Sequence, residues 1–147
     1  MDLRAGFEIN EPSVTVPWRI TEAQLEKLLH ETPPRRVSRA YLTIPVTVLG
    51  GLKCMLGFHF RDSAKLSELE FFRTAYPDQR ASFDEFQEYF ERAFGAPTHT
   101  AEGDAGLPHY EWRLPGATIR HYVLDRFGPE EHMRVWCTSE RRTHGSK

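Results

Sequence analysis

The chain has 147 residues, of which 39% are apolar, 12% aromatic and 27% charged. This composition excludes a disordered chain and a collagen-like chain, and the length is that of one ordinary domain. The formal net charge is -2 and the isoelectric point is near 6.4, which predicts no overall attraction to nucleic acid or to anionic lipid. We therefore expect a single domain over residues 1–147 that binds neither nucleic acid nor membrane.

The targeting signals and the cysteines predict a cytoplasmic protein. The opening segment Met1-Asp2-Leu3-Arg4-Ala5-Gly6 lacks the apolar region of a signal peptide. No run of about 18 apolar residues is present, so we expect no membrane-spanning helix. Cys54 and Cys137 lie far apart within apolar runs, which is typical of buried packing residues rather than of a disulfide framework.

Two segments carry helix signals. Thr21-Glu22-Ala23-Gln24 and Ser82-Phe83-Asp84-Glu85 each form a capping box, which predicts a helix start. The first helix should end before Pro33-Pro34, and the second at Gly95, ahead of Pro97. Each predicted helix has one apolar stripe, made of Leu25, Leu28 and Leu29 in the first helix and of Phe86, Phe90 and Phe94 in the second.

Segments that alternate like strands follow each predicted helix. They cover residues 41–48, 52–60 and 67–72 after the first helix, and residues 110–114, 119–123 and 133–137 after the second. This order predicts an α+β fold with two helix-plus-three-strand-meander repeats, at residues 20–74 and 81–140, whose helices pack on a mostly antiparallel sheet. The stretch 7–18 is also extended, but its two prolines leave a further strand open there.

The alternation also predicts how the strands pair, because a buried face keeps its apolar residues together. The two glycines at 50 and 51 favour a three-residue loop, and Pro115-Gly116 favours a two-residue turn. A last loop centred on Pro129 would join the final two strands. The predicted pairs are Val48 with Cys54, Phe58 with Leu69, Trp112 with Ile119, Tyr122 with Trp136 and Leu124 with Arg134.

The final hairpin supplies the candidate binding surface. The apolar face of this hairpin consists of Ile119, Val123, Val135 and Cys137. If that face lies against the core, the residues that alternate with these along each strand face outward. Tryptophan, tyrosine and arginine often dominate the energetics of protein interfaces. The predicted partner-binding residues are therefore Arg113, Arg120, Tyr122, Arg134 and Trp136. The alternative is that helices from elsewhere cover this face, which would make its aromatic residues part of the core.

Motifs for catalysis, cofactors and metals are missing from the chain. It has no glycine-rich phosphate loop, no CxxC, no HExxH and no GxSxG. His109, His121 and His132 come near one another in the predicted sheet, but they lack the spacing of a zinc site, and His109 and His121 should point to opposite faces. We expect no catalytic residue, no cofactor and no metal.

One segment resembles a known kind of domain. Phe90-Glu91-Arg92-Ala93-Phe94-Gly95-Ala96-Pro97, followed by Tyr110-Glu111-Trp112, is similar to a pattern in small bacterial helix-then-meander domains. These include the β-lactamase inhibitory proteins, small outer-membrane assembly lipoproteins and immunity proteins of polymorphic toxin systems. The resemblance covers about a quarter of the chain and implies a protein-binding module. The missing signal peptide and disulfides favour the immunity proteins among these relatives.

Three functions follow from these patterns as hypotheses. The first is a non-catalytic cytosolic module that binds a protein partner, most specifically an immunity protein or inhibitor of a cognate toxin. The second is a small-ligand binder or an enzyme whose pocket lies between sheet and helices, with His121 or His59 as acid or base. The third is a chaperone for a secreted effector.

Overall fold

A computed structural model describes residues 1–60, 64–75 and 78–138. Within these residues the chain forms two α-helices and ten β-strands, together with one short 3-10 turn at Asp104–Gly106. The helices are α1 (Glu22–Leu28) and α2 (Gln79–Phe94). The strands are β1 (Gly6–Glu11), β2 (Val14–Pro17), β3 (Arg35–Ser38), β4 (Tyr41–Val48), β5 (Leu52–Phe60), β6 (Leu66–Phe72), β7 (His99–Ala101), β8 (His109–Leu114), β9 (Ala117–Asp125) and β10 (Pro129–Cys137).

All ten strands belong to one sheet, in the order β2-β1-β4-β5-β6-β10-β9-β8-β7, with β3 pairing to β4 outside this path. Each ladder described in this sheet is antiparallel. The predicted α+β class is therefore confirmed, with the sheet as the dominant part. Each helix precedes one short strand and then a three-strand meander, but the internal duplication stays a prediction. No helix in the described ranges is long and apolar enough to cross a membrane.

The start of α1 is as predicted. Thr21 Oγ1 accepts a hydrogen bond from Gln24 N at 3.2 Å, and Gln24 Oε1 accepts one from Thr21 N at 2.9 Å. This reciprocal pair is the complete capping box, which satisfies two amides that the first helical turn leaves without partners. Leu25, one turn further on, is fully buried in the core.

The predicted start of α2 is wrong. The helix begins one turn earlier, at Gln79, and its N-cap is Asp78, whose side chain accepts a hydrogen bond from Arg80 N at 3.1 Å. Ser82 is consequently a buried residue within the first turns of the helix. The predicted end is right, because Gly95 caps the helix with a positive φ of 85°, which glycine adopts without steric cost.

One hydrophobic core joins the helices to a single face of the sheet. It includes residues of α1 and α2 together with alternate residues of β1, β4, β5, β6, β8, β9 and β10. Its largest fully buried side chains include Trp112, Phe7, Phe58, Phe71, Phe86 and Phe90. The predicted pairs Phe58–Leu69 and Trp112–Ile119 are present. Val48 pairs with Leu52 rather than with Cys54. The loop consists of residues 49–51 only, so the ladder between β4 and β5 begins at Leu52.

The predicted register of the final hairpin is also wrong. Pro129 is the first residue of β10 and pairs with Asp125, so the loop consists of residues 126–128. Tyr122 therefore pairs with His132, and Trp136 pairs with Thr118. Arg134 likewise faces Arg120, and Leu124 faces Glu130. The shift is an even number of residues, so each side chain keeps its predicted face.

The N-terminal stretch forms a hairpin that extends the sheet. Strand β1 pairs with both β2 and β4, and β2 ends the strand order. Pro12 lies in the turn between the strands, and Pro17 is the last residue of β2. Neither proline interrupts an interior ladder, because a proline that cannot donate a hydrogen bond is tolerated at a turn or a strand end.

Candidate functional site

The helices leave one face of the sheet uncovered. Phe86 and Phe90 of α2, with Leu25 of α1, pack in the same core as Ile119 and Val135, which fixes the helical side of the sheet. The alternative in which helices cover the outward side is therefore excluded for the described residues. We call the opposite side the open face. It carries all five predicted partner-binding residues, which are Arg113, Arg120, Tyr122, Arg134 and Trp136.

Three of these five residues line one cleft of about 510 Å³, at the end of the open face where β8, β9 and β10 meet. We call it the arginine cleft. The three residues are Arg113, Arg120 and Trp136, and their role in partner binding stays a prediction. The remaining lining residues are Glu111, Thr118, Cys137 and Thr138.

Glu111 organises the arginine cleft. Its carboxylate lies largely buried between two guanidinium groups, with Oε2 accepting from Arg113 Nε at 2.6 Å and Oε1 lying 3.4 Å from Arg120 Nε. The hydrogen bond from Arg113 and the charge of Arg120 lower the pKa of Glu111, so this carboxylate is ionised at neutral pH. The Arg120 guanidinium also lies over the Trp136 ring, 5.6 Å from its centroid.

Arg134 belongs to a separate charge cluster in the middle of the open face. Its Nη1 binds the fully buried carboxylate of Glu68, and its Nη2 lies 3.6 Å from Glu70 Oε2. Glu70 Oε1 is also 2.8 Å from His59 Nε2 and accepts a hydrogen bond from the Tyr41 hydroxyl at 3.4 Å. The guanidinium of Arg134 is therefore paired with carboxylates of the neighbouring strand β6, so Arg134 stabilises the sheet and is not a free binding group.

Tyr122 lies in a stack of three rings. Its ring is 4.7 Å from that of His109 and 5.0 Å from that of His132, with interplanar angles of 19° and 18°. His132 Nδ1 accepts hydrogen bonds from Arg134, 3.4 Å from Nε and 3.2 Å from Nη2. Burial and the charge of Arg134 lower the pKa of His132, so this imidazole is neutral at pH 7. The stack holds Tyr122 half-buried on the open face.

His121, the candidate acid or base, is sealed between the sheet and α2. Its ring is fully buried and stacks on Phe83 with centroids 3.9 Å apart. Nε2 lies 2.6 Å from Glu131 Oε2 and Nδ1 lies 2.8 Å from Gln87 Oε1. Burial lowers the pKa of His121, and the Glu131 carboxylate opposes this effect. Because the His121 ring has no access to solvent, a substrate cannot reach it in this conformation.

A serine near His121 does not form a nucleophile with it. Ser82 Oγ donates to Glu131 Oε1 at 2.8 Å, while His121 is held by the other oxygen of the same carboxylate. In a serine nucleophile the imidazole lies between the hydroxyl and the carboxylate, so that it can take the hydroxyl proton. Here the carboxylate lies between them, and this arrangement ties α2 to β9 and β10 instead.

The three histidines weighed as metal ligands do not converge. His109 and His132 flank Tyr122 on the open face, whereas His121 lies on the core face. Within the described ranges, no group of three or more histidine, cysteine, aspartate or glutamate side chains is placed to hold a metal ion.

The two cysteines are free thiols, both half-buried. Burial raises the pKa of Cys54 to about 12, so its thiol stays protonated and unreactive at neutral pH, as the apolar sequence context predicts. Cys137 lies at the end of β10 and contributes to the lining of the arginine cleft.

Sequence reasoning misses Glu111, which holds the two arginines of the cleft. A signal for it exists in the sequence Glu111-Trp112-Arg113, because alternation places a glutamate and an arginine on the same face on either side of a buried tryptophan. The partner arginine, Arg120, lies on the next strand and pairs directly with Glu111.

Comparison with known proteins gives no family for this chain. It matches no protein-family model, and searches of curated proteins and of solved structures give no significant match.

Proposed function

We propose that this chain is a non-catalytic protein-binding module that works in the cytoplasm as an inhibitor of a partner protein, most specifically as the immunity protein of a cognate toxin. The observation that carries the proposal is the arginine cleft on the open face. Two arginines and a tryptophan converge there on a surface that neither helix covers. These residue types combine large contact area with polar tips, which suits an interface centre.

The rigidity of the open face supports the same proposal. Its side chains are held by neighbours within the sheet, such as Glu111 beneath the two arginines and the histidine rings on either side of Tyr122. A surface that is ordered before binding loses less conformational entropy when a partner docks. Side chains on strands are also positioned more firmly than those on loops.

A second candidate function is the binding of a small ligand at a gap in the sheet beside α2. A cavity of about 280 Å³ lies where β6 and β10 separate, beside the start of α2. His132 Nε2 is buried there and has no hydrogen-bond partner in the part of the chain that the structure describes. The cavity is lined by Tyr41, Glu70, Phe71, Phe72, Arg73, Phe86, Pro129, Glu130, Glu131 and His132.

Rescue of growth tests the inhibitor proposal. The gene adjacent to the coding sequence is expressed in a bacterial host, alone and together with this chain. We expect its product to arrest growth and the chain to restore it. Trp136→Ala should abolish rescue, because it removes the apolar wall of the cleft. An adjacent gene for a secreted effector that is harmless in the host would indicate a chaperone, and one for a metabolic enzyme would favour the ligand-binding function.

Tyr89→Ala provides the matched control. Tyr89 lies on α2, where Arg92 covers its ring at 5.1 Å, as Arg120 covers Trp136 on the open face. This substitution also removes an aromatic ring from a cation–π pair, but on the opposite side of the sheet. Rescue by Tyr89→Ala together with loss of rescue by Trp136→Ala is the expected pattern. Equal rescue by both variants would contradict docking through the arginine cleft.

A further inference from the structure

The arginine cleft has an excess of positive charge that no described group neutralises. Of its lining residues, Arg113 and Arg120 are cationic and Glu111 alone is anionic. Both oxygens of Glu111 are already shared between the two arginines, one oxygen to each. One carboxylate therefore serves two guanidinium groups, and the cleft keeps about one unit of positive charge.

The two guanidinium groups also keep unused hydrogen-bond donors. Each arginine contacts Glu111 through its Nε atom. Across residues 1–60, 64–75 and 78–138, the Nη atoms of Arg113 and Arg120 donate no hydrogen bond. A guanidinium presents five N–H donors in a planar fork, and a carboxylate matches two of them at once. The fixed Nε contacts leave the outer edges of both forks for a ligand.

Arg134 on the same face shows the contrast. Its Nη1 and Nη2 atoms both face carboxylates, those of Glu68 and Glu70. Two acidic residues thus neutralise one arginine in the middle of the open face, whereas one acidic residue is shared by two arginines in the cleft. Carboxylates therefore outnumber arginines around Arg134, whereas arginines outnumber carboxylates in the arginine cleft.

We propose that the arginine cleft binds a carboxylate of the protein partner, presented by an aspartate or glutamate side chain. This inference rests on the proposed function and names the chemistry of the partner. The carboxylate lies between the Nη groups of Arg113 and Arg120, and the methylene groups of the same partner side chain contact the Trp136 ring. A nucleic acid is a poorer match, because a row of phosphates requires a row of cations and the cleft supplies two.

Indole resonances of the tryptophans report binding directly. The indoles of Trp18 and Trp112 are buried and donate to Leu3 O and Gly95 O, at 2.8 and 2.9 Å, whereas Trp136 lines the cleft. In a titration of the ¹⁵N-labelled chain with a blocked hexaglutamate peptide, we expect the Trp136 indole signal to shift and the other two to stay fixed. A blocked hexaglutamine peptide should produce no shift.

Variants identify the groups responsible. Arg113→Gln combined with Arg120→Gln should weaken hexaglutamate binding at least about tenfold, since each removes a charge-assisted hydrogen bond. Arg92→Gln, on the exposed surface of α2, should leave it unchanged. Unchanged Trp18 and Trp112 signals show that a variant is folded. If the double variant unfolds, the single variant Arg113→Gln, whose side chain is 67% exposed, should still weaken binding.

Three results would overturn the carboxylate inference. One is the absence of a Trp136 shift, and another is equal binding by the wild-type chain and the folded arginine variants. The third is an oligothymidylate that binds through the same arginines at a tenfold lower concentration than hexaglutamate. None of these assays uses the biological partner. Loss of rescue by Trp136→Ala without peptide binding by the wild-type chain would therefore contradict the carboxylate alone. Peptide binding by a wild-type chain that does not restore growth would contradict the proposed inhibitor alone.

Discussion

Arg120 and Arg134 lie directly opposite each other in the ladder between β9 and β10. Like charges at such a position repel and destabilise a sheet. The structure separates them by turning each side chain to a different neighbouring strand. Arg134 binds Glu68 on β6, and Arg120 approaches Glu111 on β8. This divergence creates two charge clusters on the open face, one in which two carboxylates face Arg134 and one in which two arginines share Glu111.

Glu68→Gln should destabilise the fold by about 2 kcal/mol or more, because it leaves a partly buried guanidinium without its main counter-charge while Glu70 remains. Urea denaturation measures the change in the free energy of unfolding. Glu88→Gln on α2 is the control, since its ion pair with Arg92 is exposed and should contribute less than about 1 kcal/mol. Equal changes in the free energy of unfolding for the two substitutions would show that the ion pair between Arg134 and Glu68 contributes no more than an exposed pair.

Trp112→Ala should cost about 3–5 kcal/mol of unfolding free energy, because the side chain is fully buried at the centre of the core. Its indole also donates to Gly95 O at 2.9 Å, which ties β8 to the end of α2. Trp112→Phe keeps an aromatic ring without the donor and should cost less. An unchanged melting temperature for Trp112→Ala would contradict the assignment of this residue to the core face.

Stability should decrease at acid pH through His132. Its pKa in the fold is lowered by burial and by Arg134, while the unfolded value is about 6.5. Below pH 6.5 the unfolded chain therefore binds the proton more readily, and the stabilisation from neutral His132 is lost as the pH falls through the lower, folded pKa. The difference in unfolding free energy between the wild-type chain and His132→Gln should decrease between pH 7.5 and pH 5.5. A difference that grows over this interval would contradict the neutral state.

Gly57→Ala should destabilise the sheet by about 1–3 kcal/mol through overpacking. A Cβ atom at this position would lie 2.7 Å from Tyr41 Cε1, and the Tyr41 ring also stacks on His59. The same substitution in a Tyr41→Ala background should cost much less, and a double-mutant cycle measures this coupling. Additive effects would show that the cost has another origin.

The faces of the strands could be predicted from the sequence, but the pairing of the last hairpin could not. Alternation places Ile119 and Val135 in the core whatever the register. A proline in this position favours the centre of a loop, but proline is also tolerated at the first residue of a strand, where Pro129 lies. The residues of the candidate site therefore lie on the predicted face, while their cross-strand partners are different.

The true start of α2 depends on contacts that local patterns do not contain. Ser82 has the sequence context of an N-cap, but its hydroxyl donates to Glu131, 49 residues further along the chain. Asp78 takes the capping position one turn earlier. The role of Glu111 in the cleft is long-range in the same way, because it becomes evident only when β8 and β9 are placed side by side.

Because one side of the sheet is uncovered, the residues of the candidate site are separate from the residues that form the core. Thr118, Arg120 and Trp136 alternate with core residues along β9 and β10, so their replacement changes the cleft without altering the apolar side chains beneath α2. Selection for a new partner could therefore act on these positions while the hydrophobic core stays intact. The same separation makes the sheet a candidate for grafting, in which a designed recognition patch replaces the cleft residues and the helical side is retained.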